Sequence, residues 1–228
     1  MPIVRFNPFG QVHKGLRALL YDTALQIQQT NFTVEQEIHA VLERVCLVNS
    51  LFEHHAHIED SRVFPMIRDV APEVVADFES QHQTDHALSE DLERSIAFFN
   101  ETNSPEQNRS AGVQLQNSFA AFLAFNVEHM RKEETIVNGV LWQHYSDEAL
   151  LQKVQEISAA IPPQENRHFC YWMLKGMATH EIIDWYRAIK LSAPPPVLEF
   201  FYSLAEEALP AAVWNGVKEG LQEAPVNV

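Results

Sequence analysis

Three histidines stand within four positions, His54, His55 and His57, in the stretch from Phe52 to Pro65. Side chains four apart on a helix stack on one face, with roughly 5–6 Å between Cβ atoms. Of the three, only His55 has a carboxylate at that offset, Glu59; His54 meets Ile58 and His57 meets Ser61. One helix face therefore presents an imidazole beside a carboxylate, a pair that can ligate a metal ion. The same offset recurs at His82 and His86, and again at His129 and Glu133.

The segments that must carry these pairs are helical by pattern, and strand-like alternation is hard to find. The first helix is expected from about Val12 to Gln29, with Leu16, Leu19, Leu20 and Ile27 as its apolar stripe. Thr33, with Gln36 three residues on, reads as a capping box opening a second helix that carries Val41, Val45, Val48, Leu51 and Phe52 to His55 and Glu59. A third helix starts after Ala71-Pro72, where proline's missing N–H does no harm, and runs to about Asn100. Ser104 and Gln107 suit the cap of a fourth, running past Phe119, Phe122, Phe125 and His129 to about Trp142. Four long helices joined by short loops describe an all-α, up-down-up-down four-helix bundle. It is expected over residues 1–145.

Residues 146–228 read as a C-terminal extension of shorter helices, Asp147 to Ala160, Pro163 to Met177, Thr179 to Ala193 and Val197 to Leu221. Its aromatic residues are read as packing on the bundle or on a partner, which makes a homo-oligomer or a protein partner through these helices an expectation.

Position along the helices supplies a second argument. His13 lies near the start of helix one and His82 and His86 near the start of helix three. His55 and Glu59 close helix two, and His129 and Glu133 lie near the end of helix four. In an up-down bundle, starts of odd helices and ends of even helices share one end. His39 also has a carboxylate four residues on, Glu43, but sits at the wrong end, and His180 with Asp184 lies outside the bundle. These two, with His54, His57, His144 and His168, read as ordinary surface or hydrogen-bonded histidines.

Composition narrows the partners. The apolar fraction of 46% with 21% charged residues is that of an ordinary globular protein. Sixteen Lys and Arg against 31 Asp and Glu leave a formal net charge of -15, which argues against nucleic acid or an anionic membrane. The longest apolar run, Phe119 to Phe125, is too short to span a bilayer, and the N-terminus lacks a signal-peptide layout, so the expected location is cytoplasmic. Cys46 and Cys170 share no redox or zinc motif and read as two buried thiols.

The set His13-Lys-Gly-Leu-Arg17, His55-x-x-x-Glu59 with Phe64-Pro65 beyond, His82-x-x-x-His86 and His129-x-x-x-Glu133 resembles the hemerythrin family, the histidine–histidine–glutamate cation-binding bundle, over roughly residues 10–145. The resemblance implies two iron ions in a carboxylate-bridged di-iron centre with room for an oxo or hydroxo bridge. It places one iron on His82, His86 and His129, and the other on His13 and His55 with an open position. Glu59 and Glu133 would bridge, with Glu134 as the reserve for the second. The open position implies a small ligand: dioxygen, nitric oxide or peroxide. Phe122, Phe125, Leu51, Val48, Leu16 and Leu20 would form a dry wall beside it. The oxygen carriers of marine invertebrates place an aspartate five residues after the last histidine, whereas the four-residue spacing seen here is that of bacterial and iron-sensing relatives. The alternative reading is a regulatory sensor whose C-terminal helices carry the output to a partner.

Overall fold

A computed structural model describes residues 5–222; all its regular structure is helical, with no strand among the described residues. The elements are α1 (Gly10–Gln29), α2 (Glu35–Ile58), α3 (Phe64–Ile67), α4 (Pro72–Phe99), α5 (Pro105–Lys132), α6 (Asn138–His144), α7 (Asp147–Ala160), α8 (Pro163–Gly176), α9 (Thr179–Ser192), α10 (Pro195–Ala208) and α11 (Ala211–Gln222). Two wider, π-helical turns interrupt this series, Glu59–Val63 between α2 and α3 and Glu133–Val137 between α5 and α6.

Each π turn begins on one of the carboxylates singled out above. The Phe64 N–H bonds the Glu59 carbonyl and the Asn138 N–H bonds the Glu133 carbonyl, five residues back in both cases. Pro65 has no N–H to give Ser61, so a regular α register could not be completed there. At the second turn, side chains take up carbonyls instead. Thr135 Oγ1 donates to Arg131 O at 3.0 Å, and Asn138 Nδ2 donates to Glu134 O at 3.2 Å. Inserted π turns are frequent at functional sites because they change where the following side chains point.

Three sequence expectations need correction. The cap of α2 is not the Thr33–Gln36 box: Val34 takes the cap position without a side-chain bond. Asn31 Oδ1 instead accepts from Thr33 N and Thr33 Oγ1, and Glu37 Oε2 accepts the Asn31 N–H at 2.8 Å. The stretch Val197 to Leu221 is two helices rather than one, because Leu209 is extended ahead of Pro210 (φ -104°, ψ 143°). Cys46 is exposed, and only Cys170 is a buried thiol. The caps expected for α4 and α5 do form: Pro72 opens α4, and Ser104 Oγ accepts the Gln107 N–H at 3.3 Å.

The contacts divide the chain into two units, one of Met1–Gly10 with Leu19–Pro162 and one of Gln11–Ala18 with Pro163–Val228. In the first, α2 packs on α4 and α4 on α5. A core of Phe9, Phe64, Ile67, Val75, Phe78, Val137, Leu141 and Leu150 forms just past the π turns. Arg5 fastens that region, donating to Asp147 at 2.6 Å and to the carbonyls of Trp142 and Tyr145 at 2.9 and 2.8 Å. Helix α7 falls in this unit.

In the second unit, α8 packs on α10 and α9 on α11 around buried Tyr186, whose hydroxyl donates to Phe201 O at 2.6 Å. The early turns of α1 belong here because two glycines let backbones touch. A Cβ on Gly15 would lie 2.7 Å from Met173 N, and one on Gly176 would lie 2.2 Å from Lys14 O. Lys14 also pairs with Glu181, which in turn accepts the Ala178 N–H and caps α9.

Candidate metal centre

Six of the seven proposed ligands are buried: His13, His55, Glu59, His82, His129 and Glu133. Their donor atoms fall into two groups, His13 with His55, Glu59 and Glu133, and Glu59 with His82, His129 and Glu133, each within 4.8 Å throughout. Both carboxylates belong to both groups. Glu59 lies between imidazoles, with Oε1 at 3.2 Å from His55 Nε2 and Oε2 at 3.4 Å from His82 Nε2. His129 Nε2 stands 3.1 Å from Glu133 Oε1. Two donors held at about 2.1 Å by one ion are themselves about 3.0–3.4 Å apart at octahedral or tetrahedral angles, so these separations fit atoms sharing an ion.

The imidazoles are turned for this. His82 Nδ1 lies 2.8 Å from Asp60 Oδ1, and His129 Nδ1 lies 3.2 Å from Gln81 Oε1. Both partners can only accept through those oxygens, so each ring gives its proton at Nδ1 and presents a lone pair at Nε2. Gln81 is itself oriented, its amide donating to Asp77 Oδ2 at 2.8 Å. The Nε2 atoms of His82 and His129 are buried and have no hydrogen-bond partner. A lone pair facing a carboxylate oxygen at hydrogen-bond distance is repulsive unless a proton or a metal cation lies between them. The donor set therefore fits a metal ion, and the Nδ1 partners are those that a ligating histidine requires.

Electrostatics agree. Burial, followed by the adjacent Glu133 carboxylate, pushes the Glu59 carboxyl well above the usual carboxylate range. Two facing buried carboxylates resist joint ionisation, and cations relieve this by supplying the missing charge. Aromatic rings enclose the imidazoles: Phe64 stacks on His82 at 5.4 Å, Phe125 stacks on His129 at 5.8 Å, and Phe78 tilts against His129 at 5.5 Å. Of the expected wall, Phe122, Leu51, Val48, Leu16 and Leu20 are all buried, and Phe52 sits edge-on to Phe122.

His86 does not join either group. Its side chain is 68% exposed, with Nδ1 3.9 Å from Glu53 and Nε2 3.7 Å from Glu90. The inward row of α4 is His82, Asp85 and Ser89, so three residues after His82 the chain offers a buried aspartate in place of a histidine. Glu134, the reserve carboxylate, is half-buried and outside both groups. Of the remaining histidines, His39 pairs with Glu43 in the open at 3.4 Å, and His57, His144 and His180 are exposed. Sequence reasoning missed Asp60, Gln81, Asp85 and Asn126. Each is adjacent to or three residues from a ligand candidate, but nothing in its type marks it.

Residues 9–141 match the hemerythrin HHE cation binding domain, and the chain belongs to that family. It is also similar to F-box/LRR-repeat protein 5 of Salmo salar, 22% identical over 170 residues that make up 75% of this chain. Those residues cover 24% of that protein, so the chain spans about a quarter of the relative it matches. No solved structure matches the chain.

Proposed function

We propose that the chain is a non-haem di-iron protein that binds or reduces a small ligand, dioxygen, nitric oxide or peroxide, within an up-down-up-down bundle. The sharing of Glu59 and Glu133 by two histidine-bearing groups carries this reading, since two carboxylates common to two sites suit a bridged pair of ions. His13 and His55 would hold one iron and His82 and His129 the other, each with fewer protein ligands than an octahedral ion accepts. Iron supplies there a redox-active Lewis acid to which a small molecule can bind. The protein orients the rings through Asp60 and Gln81 and limits water with Phe52, Phe64, Phe78 and Phe122. Elemental analysis of purified protein is expected to give iron at a carboxylate-bridged pair's stoichiometry, with near-ultraviolet charge-transfer bands that respond to nitric oxide. Zinc, with no such bands, in the same sites would sink the redox reading.

One observation favours a second reading, a metal- or oxygen-responsive module that signals through its C-terminal helices to a partner. The turn of α1 that carries His13 belongs to the second unit, where Gly15 and Gly176 bring it against α8. Gly176→Ala places a methyl 2.2 Å from Lys14 O, so α8 must move off that turn. The expected outcome is a destabilisation of about 1–3 kcal/mol and a weakened metal affinity. Unchanged metal binding in a folded Gly176→Ala protein would leave the C-terminal helices without a link to the site.

A further inference from the structure

The inward row of α4 continues past the metal group as a polar ladder. Asp85 Oδ1 accepts from Asn126 Nδ2 at 2.6 Å, and Asn126, three residues before His129, also donates to Phe122 O at 3.2 Å. One turn further along α4, Asn49 of α2 donates from Nδ2 to Ser89 O at 3.3 Å. That bond leaves Asn49 Oδ1 and Ser89 Oγ buried with no hydrogen-bond partner. Asn49 is 5% exposed and Ser89 fully buried, and Val45, Val48, Phe52 and Leu92, within four residues of them along α2 and α4, are buried as well.

Ser89 is unusual for a hydroxyl inside a helix. Ser95 and Thr23 bond the carbonyl four residues back, at 2.9 and 2.8 Å, and so need nothing else. Ser89 Oγ does not. Two buried side chains joined by one hydrogen bond, each with a polar atom left over, are the kind of pair that a small bridging molecule satisfies. The Asn49 oxygen can only accept, and the Ser89 hydroxyl can do either, so the occupant must donate at least one hydrogen bond.

We propose that Asn49 and Ser89 bind a small, uncharged hydrogen-bond donor, water at rest, in a polar pocket between α2 and α4, on the same inward row of α4 as Asp85 and His82. The pocket stands on its own geometry and takes only its functional meaning from the di-iron reading. It puts a polar occupant next to Val48, a residue of the expected dry wall and the sequence neighbour of Asn49.

A high-resolution crystal structure of the full chain, with metal content measured on the same preparation, is expected to show density within hydrogen-bond reach of both atoms. A double-mutant cycle supplies the second readout. The Asn49 amide bonds a backbone carbonyl that Ser89→Ala retains, so coupling between the two side chains reports the bridging molecule. Ser89→Ala and Asn49→Leu, measured by urea unfolding, are expected to be non-additive by roughly fivefold in the folding equilibrium constant. Additive effects, or a pocket with no density touching both atoms, would overturn the proposal. Absence of metal in that preparation would instead count against the di-iron reading and leave the pocket standing.

Discussion

Glu59→Ala is expected to lose essentially all bound metal, whereas His86→Ala keeps the full complement. Glu59 and Glu133 are the two side chains common to both donor groups, and Glu59 spans imidazoles at 3.2 and 3.4 Å, so its removal takes a donor from both groups at once. Losing a hydrogen-bonded partner of a ligand typically costs 10–100-fold in metal affinity. Losing a shared ligand from two sites is expected to exceed that. His82→Ala and His129→Ala remove donors from one group only, so partial occupancy is expected, with the His13 and His55 group retained. His86, 68% exposed and facing Glu53 and Glu90, tests the assignment from the other side. Metal analysis and circular dichroism on the four variants read this directly. Full metal retention in Glu59→Ala, or its loss in a folded His86→Ala, would reverse the donor assignment.

The contrast between His86 and Glu59 also shows what could be read before any coordinates. A four-residue offset says that two side chains share a face; it does not say which way that face points. His55 and Glu59, and His129 and Glu133, are brought together in the core. His82 and His86 share a face by the same rule, but four residues advance a helix by about 400°, so the later one lies some 40° round. On α4 the packing against α2 and α5 favours a three-then-four step, which carries Asp85 and Ser89 inward and leaves His86 in solvent. Helical class and the positions of Pro72 and Ser104 followed from local rules. The π turns did not, because no residue type requires one, though Pro65 forbids the regular alternative at the first. Asp60 and Gln81 were beyond reach for another reason: each matters through a histidine on a different segment, at sequence separations of 22 and 48. The placing of Gln11–Ala18 with the C-terminal helices was equally hidden, since a glycine in a helix reads as a weakness until the backbone it touches is known.

Stripping the metal is expected to reverse the sign of the pH dependence of stability. In the metal-free protein, burial and Glu133 raise the Glu59 carboxyl well above its usual range, and burial raises Asp85 despite the Asn126 hydrogen bond. Between the unfolded pKa values, about 4, and the raised folded ones, the folded chain holds protons that the unfolded chain has released. Stability then falls as pH rises, with a slope approaching about 1.4 kcal/mol per pH unit for each such proton. The contribution is complete at acid pH and lost as pH passes through the folded values. Bound cations change the balance, because carboxylate and imidazole ligands must be deprotonated to bind, and the loaded folded state therefore holds fewer protons than the unfolded one. Its stability should rise over the same window. Saturating metal adds about 4 kcal/mol per site at a thousandfold excess over Kd. The two curves therefore diverge toward neutral pH, where chelation is expected to lower the urea midpoint most. Urea titrations with and without chelator between about pH 4 and 8 measure both slopes, and parallel curves would mean that Glu59 titrates without regard to any cation.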